Sequence, residues 1–247
     1  PIPVTTDLRV HFDASQLSLN NGDPVATWPD LSGNGLDMFQ TDTSIQPFFD
    51  ADGLEFGRGA IRFDANGSNV GNHLDLDGVN PNGNTFTAAE LFYVCRVFQD
   101  PSALAQTASH MDWNGFSQSY HPFNDGRLFT TFASRSRIQG GDSTNFGNTL
   151  TSNHIVNEFG TDGERFFKIY QDGFLKVDFS TTANTFQLQD SDGSHVITIG
   201  KGATISGWNW DAWLGELIIY TRKLTTAERQ QVIDYLGNKW GISVPTL

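Results

Sequence analysis

Short runs of apolar, aromatic and β-branched residues recur along the chain: "LRVHF" (8–12), "AIRF" (60–63), "LFYVCRVF" (91–98) and "RLFTTFA" (127–133), then "FFKIY" (166–170), "FLKVDF" (174–179), "VITIG" (196–200) and "ELIIY" (216–220). Five Asn-Gly pairs and six Asp-Gly pairs separate such runs. Each pair marks a turn, because Asn, Asp and Gly tolerate positive φ. Strands of this length under frequent turn signals predict an antiparallel sandwich or barrel, an all-β fold. The exception is "LTTAERQQVIDYLGNKWG" (224–241), which carries the 3.6-residue period. Thr225 and Glu228 form a capping box, Val232, Ile233, Leu236 and Trp240 fall on one stripe, and Gly241 stands where a left-handed C′ residue belongs.

The run around Asp172-Gly173 admits two hairpin registers. A two-residue turn pairs Lys168 with Val177 and Ile169 with Lys176 and mixes the faces. A three-residue loop, Gln171 to Gly173, pairs Ile169 with Leu175 and Phe167 with Val177, so the expected register is the second. It places Lys168 opposite Lys176, a like-charge pair softened by Asp178.

Composition narrows the class. The 247 residues are 38% hydrophobic and 17% charged, which suits a folded core with polar loops and excludes a disordered chain. With no repeat, low-complexity tract or Pro-rich linker, residues 1–247 read as one domain. A formal charge of −13 disfavours nucleic acid and anionic membrane surfaces as partners. No apolar run reaches membrane-spanning length, and no basic segment with an apolar core opens the sequence. Synthesis in the cytoplasm is the expectation, with a virion or surface assembly as a final location. Cys95 is the single cysteine, so no intrachain disulfide forms; set in a core-type strand, it reads as a buried, inert thiol.

Four stretches carry a family resemblance. The opening "LRVHFDASQLSLNNGDPVATWPDLSGNGLDM", the strand "NHLDLDG", the hairpin "IYQDGFLKV" and the closing "LGELIIYTRKLTTAERQQVIDYLGNKWGI" resemble the concanavalin A-like, laminin-G-like jelly-roll domains of bacterial and phage surface proteins. The resemblance is weakest between residues 100 and 160. It implies a two-sheet jelly-roll sandwich with one short C-terminal capping helix, the helix plugging an open end. It also raises catalysis, since glycosidases of that fold carry Glu-x-Asp-x-x-Glu on one strand. That spacing is missing, as are the Ser–His–Asp, HExxH and zinc-type patterns, so no catalytic pair is nominated.

Binding is the better-supported class. The segments "MDWNGFSQSYHPFNDG" (111–126) and "SGWNWDAW" (206–213) concentrate aromatic and hydrogen-bonding side chains between strands. Trp113, Asn114, Tyr120, His121, Trp208, Asn209 and Trp210 are the candidate ligand-binding residues, with stacking rings beside polar groups; the alternative is that these rings pack the loops or line a subunit interface. Trp28 and Trp213 read as core. For metals, Asp75, Asp77, Asp190 and Asp192 could serve Ca²⁺ at a rim, although solvated turn carboxylates are the favoured reading; no cofactor is required. Asn66-Gly67-Ser68 matches a glycosylation acceptor.

Three functions stay open at this level. One is a non-catalytic recognition or adhesion module for a glycan or protein surface. Another is a virion structural protein (capsid decoration, tail or fibre component) that works by homo-oligomer or virion assembly. The last is a polysaccharide-degrading enzyme of unfamiliar layout.

Overall fold

In the computed structural model the described residues are 1–54, 57–64, 72–76, 88–98, 109–112, 118–121, 128–130, 138–140, 152–161, 166–180, 197–201 and 209–247. They form two antiparallel sheets and one α-helix.

The first sheet runs in the order β14 (Phe174–Ser180), β13 (Phe166–Gln171), β12 (His154–Thr161), β7 (Ala88–Val97), β16 (Ala212–Tyr220), β5 (Arg58–Phe63) and β4 (Phe48–Leu54), with β1 (Leu8–Asp13) also paired to β16. The second runs β11 (Ile138–Gly140), β10 (Leu128–Thr130), β9 (Gln118–Tyr120), β8 (Ser109–Asp112), β15 (Ile197–Ile199), β6 (Leu74–Leu76), β3 (Met38–Phe39) and β2 (Thr27–Trp28). All-β character and a sandwich of two antiparallel sheets are as the turn pattern predicts.

The central strand β7 shows why a third layer exists. Residues Ala89 to Cys95 are buried on both faces, so apolar side chains follow one another without alternation, with Glu90 the one charged residue among them. Ala89, Leu91, Tyr93, Cys95 and Val97 face the core between the sheets, together with Trp28, Phe63, Leu217 and Trp210. Phe92 and Val94 point the other way and join Ile155, Ile218 and Tyr220 beneath Val232, Ile233, Leu236 and Trp240 of the helix. That helix, α1 (Thr226–Trp240), starts at the Thr225–Glu228 capping box and ends at Gly241 with φ +66, as the sequence predicts. It caps the sandwich by covering the outer face of the first sheet. The expectation that it plugs an open end is corrected: a sheet apolar on both faces needs a cover on its second face, and α1 provides it.

Gly215 sits at a bulge between Leu214 and Glu216 of β16. A side chain there would collide with Leu54 (2.5 Å) and the indole of Trp240 (2.7 Å), so the glycine lets the helix approach. The extra residue also turns Glu216 toward α1.

The 171–174 hairpin differs from its expected register. Gln171 pairs with Phe174 across a two-residue turn, with Asp172 at φ +50 and Gly173 at φ +81. A bulge then shifts the ladder, setting Ile169 opposite Val177 and Lys168 opposite Asp178. Primed two-residue turns match strand twist, and the bulge restores the apolar face that straight ladders would mix. Lys168 Nζ thereby meets Asp178 at 3.0 Å, and the lysine–lysine clash never arises.

Candidate functional site

The two aromatic segments are anchored at different places. β8 and β9 pair with Asp112 opposite Gln118 and Ser109 opposite Tyr120, so residues 113–117 leave from one end of this ladder and His121 from the other. The ends lie about 10 Å apart at ~3.3 Å per residue. β15 continues into Gly200 and Lys201 on the His121 side, where Lys201 bridges to Asn209. Trp210 N–H donates to Gly200 O at 2.7 Å and its indole Nε1–H to His121 O at 2.8 Å. The flanks of 122–127 and of 202–208 are therefore tied to one point.

Of the expected ligand-binding residues, Trp210 and His121 are 0% and 1% exposed, and Asn209 is also buried. This corrects their expected place in an exposed binding surface. Trp210 stacks on Phe63 at 5.7 Å between centroids and serves as a core residue. Tyr120 closes β9. Trp113, Asn114 and Trp208 lie outside the described residues. Trp28 is in the core as expected. Trp213 is half-buried between the guanidinium groups of Arg62 and Arg96 (4.5 and 4.4 Å), its Nε1–H donating to Asp50 at 2.7 Å.

His121 also enters a buried cluster that the sequence gives no sign of. Cys95 on β7 and His154 on β12 are direct cross-strand neighbours facing the core, and His121 meets them from the second sheet. His154 Nε2 lies 3.3 Å from Cys95 Sγ and 2.8 Å from His121 Nε2. His154 Nδ1–H donates to Ser152 O at 2.9 Å. Tyr93 Oη sits 3.4 Å from His121 Nδ1 and 3.5 Å from Glu158 Oε1. Burial pushes His154 down to about 4, and burial with the charge of Asp172 pushes the Cys95 thiol well up. A buried, protonated thiol is a poor nucleophile.

Two buried carboxylates fix the helix to the sheet. Glu90 accepts Arg229 Nε–H at 2.6 Å and Nη2–H at 2.9 Å, the Leu224 N–H at 2.8 Å and Asn157 Nδ2–H at 3.0 Å. Glu216 accepts from His11 Nε2 (2.7 Å), Tyr235 Oη (2.9 Å), Lys239 Nζ (2.7 Å) and Trp240 Nε1 (2.8 Å). Burial alone would raise its pKa; the His11 hydrogen bond and the Lys239 ammonium outweigh burial and hold the carboxyl below its ordinary range. A cavity of about 410 Å³ opens beside this group, bordered by His11, Asp13, Arg58, Tyr235 and Lys239. Four fixed donors occupy the Glu216 oxygens, so the carboxylate locks β1, β16 and α1 together and is not poised as a general base. An acidic residue inside an apolar central strand was the readable signal for both carboxylates, since a buried charge requires a partner. Nothing local names the partner.

Among the candidate calcium ligands, Asp75 projects away from Leu74 and Leu76 as the alternation requires. It accepts the Thr198 hydroxyl at 2.9 Å and faces His73 Nε2 at 3.6 Å. Asp77, Asp190, Asp192 and the Asn66-Gly67-Ser68 acceptor lie outside the described residues.

Comparison with known proteins places the fold. No family model matches the chain. No curated protein matches it either. Solved structures do. The receptor-binding domain of botulinum neurotoxin mosaic serotype C/D superposes with TM-score 0.64 at 11% identity, over 95% of this chain and 51% of that one. The serotype D ligand-binding domain, solved in complex with N-acetylneuraminic acid, gives 0.64 at 10% identity over 94% and 52%. The binding domain of Paraclostridial Mosquitocidal Protein 1 gives 0.61 at 15% identity over 95% and 53%. The chain spans about half the length of these neighbours. At such identities the likeness is one of fold.

Proposed function

We propose that the chain is a non-catalytic recognition module that binds a glycan at the rim where residues 122–127 and 202–208 depart, built as a single concanavalin A-like, laminin-G-like domain. The observation that carries this reading is the Trp210–His121 hydrogen bond, which ties the flanks of both segments to one point. Trp208 then offers the ring for a sugar face, while Asn124 and Asp125 offer hydrogen-bond partners for its hydroxyls. The described residues next to Trp113 and Asn114 stand at the other end of the ladder, so the proposed contact is assigned to Trp208. Two things support a binding role over a catalytic one. The buried carboxylates Glu90 and Glu216 are held by fixed donors, and the neighbouring folds belong to receptor- and ligand-binding domains, one of them crystallised with a sialic acid. Glycan-array screening with neutral and sialylated panels tests binding. Incubation with laminarin, alginate, agarose and carrageenan tests chemistry, and no reducing ends or unsaturated products are expected.

An assembly role is favoured by a different observation. Among the described residues β14 is the last strand of its sheet, and it exposes Phe174 (57%) and Leu175 (47%). Large apolar side chains on an open edge invite contact with another chain. Light scattering decides this: a stable oligomer dispersed by Phe174→Lys, without glycan binding, makes assembly the function.

A further inference from the structure

Cys95, His121 and His154 are each buried to within 1% of complete, and their donor atoms all lie within 4.8 Å of one another. Two features of the cluster are hard to satisfy with protons alone. His154 donates from Nδ1 to Ser152 O, so in the neutral ring Nε2 holds a single lone pair. That lone pair is faced at once by the Cys95 sulfur and by His121 Nε2. If His121 donates from Nε2 to it, its Nδ1 must accept from Tyr93, and Tyr93 has then no proton to offer Glu158 Oε1.

We propose that this cluster is a binding site for a borderline divalent cation of the zinc type, held by the Cys95 thiolate and the Nε2 atoms of His121 and His154, and clamping the two sheets together. A cation resolves both conflicts. It takes all three lone pairs, and the His121 proton moves to Nδ1. The hydrogen bonds then run in one direction, from His121 Nδ1–H to Tyr93 Oη and from Tyr93 O–H to the Glu158 carboxylate. His154 keeps its Nδ1–H bond to Ser152. Metal-bound histidines are oriented in this manner, by a carbonyl or carboxylate on the second nitrogen. The thiol proton leaves to solvent, because coordination supplies the positive charge that burial withholds.

The spacing fits. Two nitrogens at ~2.0–2.1 Å on a tetrahedral zinc stand about 3.3 Å apart, and a nitrogen and a sulfur about 3.5 Å. The observed 2.8 and 3.3 Å need to open by about half an ångström or less. Sulfur with two imidazoles selects zinc, cobalt or copper over calcium and magnesium. The ligands come from both sheets, Cys95 and His154 from the first and His121 from the end of β9 in the second. Burial of all three fits a role in joining the sheets, with the fourth tetrahedral position left to a water.

Cobalt is the direct probe. Titrating the reduced chain of residues 1–247 with Co²⁺ is expected to give one equivalent of a thiolate-to-cobalt charge-transfer band with tetrahedral ligand-field bands, displaced by Zn²⁺. Zn²⁺ is expected to raise the melting temperature and a chelator to lower it. Cys95→Ser removes the charge-transfer band. Tyr93→Phe retains the spectrum and weakens affinity about 10–100-fold, the cost of losing an outer partner. X-ray absorption on the wild-type zinc form needs no variant and should show one sulfur and two imidazole nitrogens. Absence of metal uptake by the reduced chain, a charge-transfer band that survives Cys95→Ser, or a shell without sulfur overturns the proposal.

Discussion

Glu90 on β7 and Arg229 on α1, 139 residues apart in sequence, form a fully buried two-pronged ion pair with nitrogen–oxygen distances of 2.6 and 2.9 Å. Phe159 lies 4.0 Å beneath the guanidinium, and Asn157 and the Leu224 N–H complete the carboxylate. Removing one partner leaves the other charged in an apolar layer. Arg229→Met is expected to cost about 3–5 kcal/mol, whereas Glu90→Gln combined with Arg229→Met costs less than the sum of those two single changes. Urea denaturation of the four proteins measures the coupling.

The helix makes a second test. Trp240 is completely buried against Leu54 and the sheet's outer face, and its indole N–H bonds Glu216. Trp240→Ala is expected to cost about 3–5 kcal/mol and Thr225→Ala about 1 kcal/mol. Thermal melts rank the two, and equal small losses would mean that α1 contributes nothing to the fold.

Asp172 gives a pH-dependent test. Burial pushes its carboxyl up to about 6, against the Ile155 N–H bond and the charge of Lys176, which act to lower it. A carboxyl raised in the folded state is penalised once ionised, so it weakens folding as pH rises through the interval from about 4 to 6. Asp172→Asn keeps an acceptor for Ile155 N–H and tolerates φ +50. It is expected to add about 1–3 kcal/mol at pH 7 and nothing at pH 4, where Asp172 is protonated in the folded state. Melts at the two pH values give the difference, and an equal gain at both would mean that the charge is not the cause.

Much of the fold can be read from local chemistry. The capping box and Gly241 delimit α1 to the residue, and the Asp-Gly and Asn-Gly pairs mark an antiparallel β-protein. What escapes is set by distant partners. The bulge beyond Asp172-Gly173 depends on which face of β13 is buried. That α1 covers a face and not an end depends on Phe92, Val94 and Ile218 pointing outward from a sheet whose pairing no local pattern specifies. The candidate site is less legible still. Asn209, Trp210 and His121 attract attention as aromatic and polar loop residues, yet the chain uses Trp210 as core and His121 as a partner of Cys95 and His154. Those two residues, 59 apart, become neighbours only through the β7–β12 register.

The proposed glycan site is the rim flanked by His121 and Trp210. Calorimetric titration of the intact chain with the best glycan from an array, repeated on Trp208→Ala and Trp113→Ala at unchanged melting temperature, tests it most directly. Saturable binding is expected, weakened at least about tenfold by Trp208→Ala, a loss of ~1.4 kcal/mol or more, and left nearly intact by Trp113→Ala. No glycan binding by the wild-type chain, or equal affinity in Trp208→Ala and wild type, would contradict it.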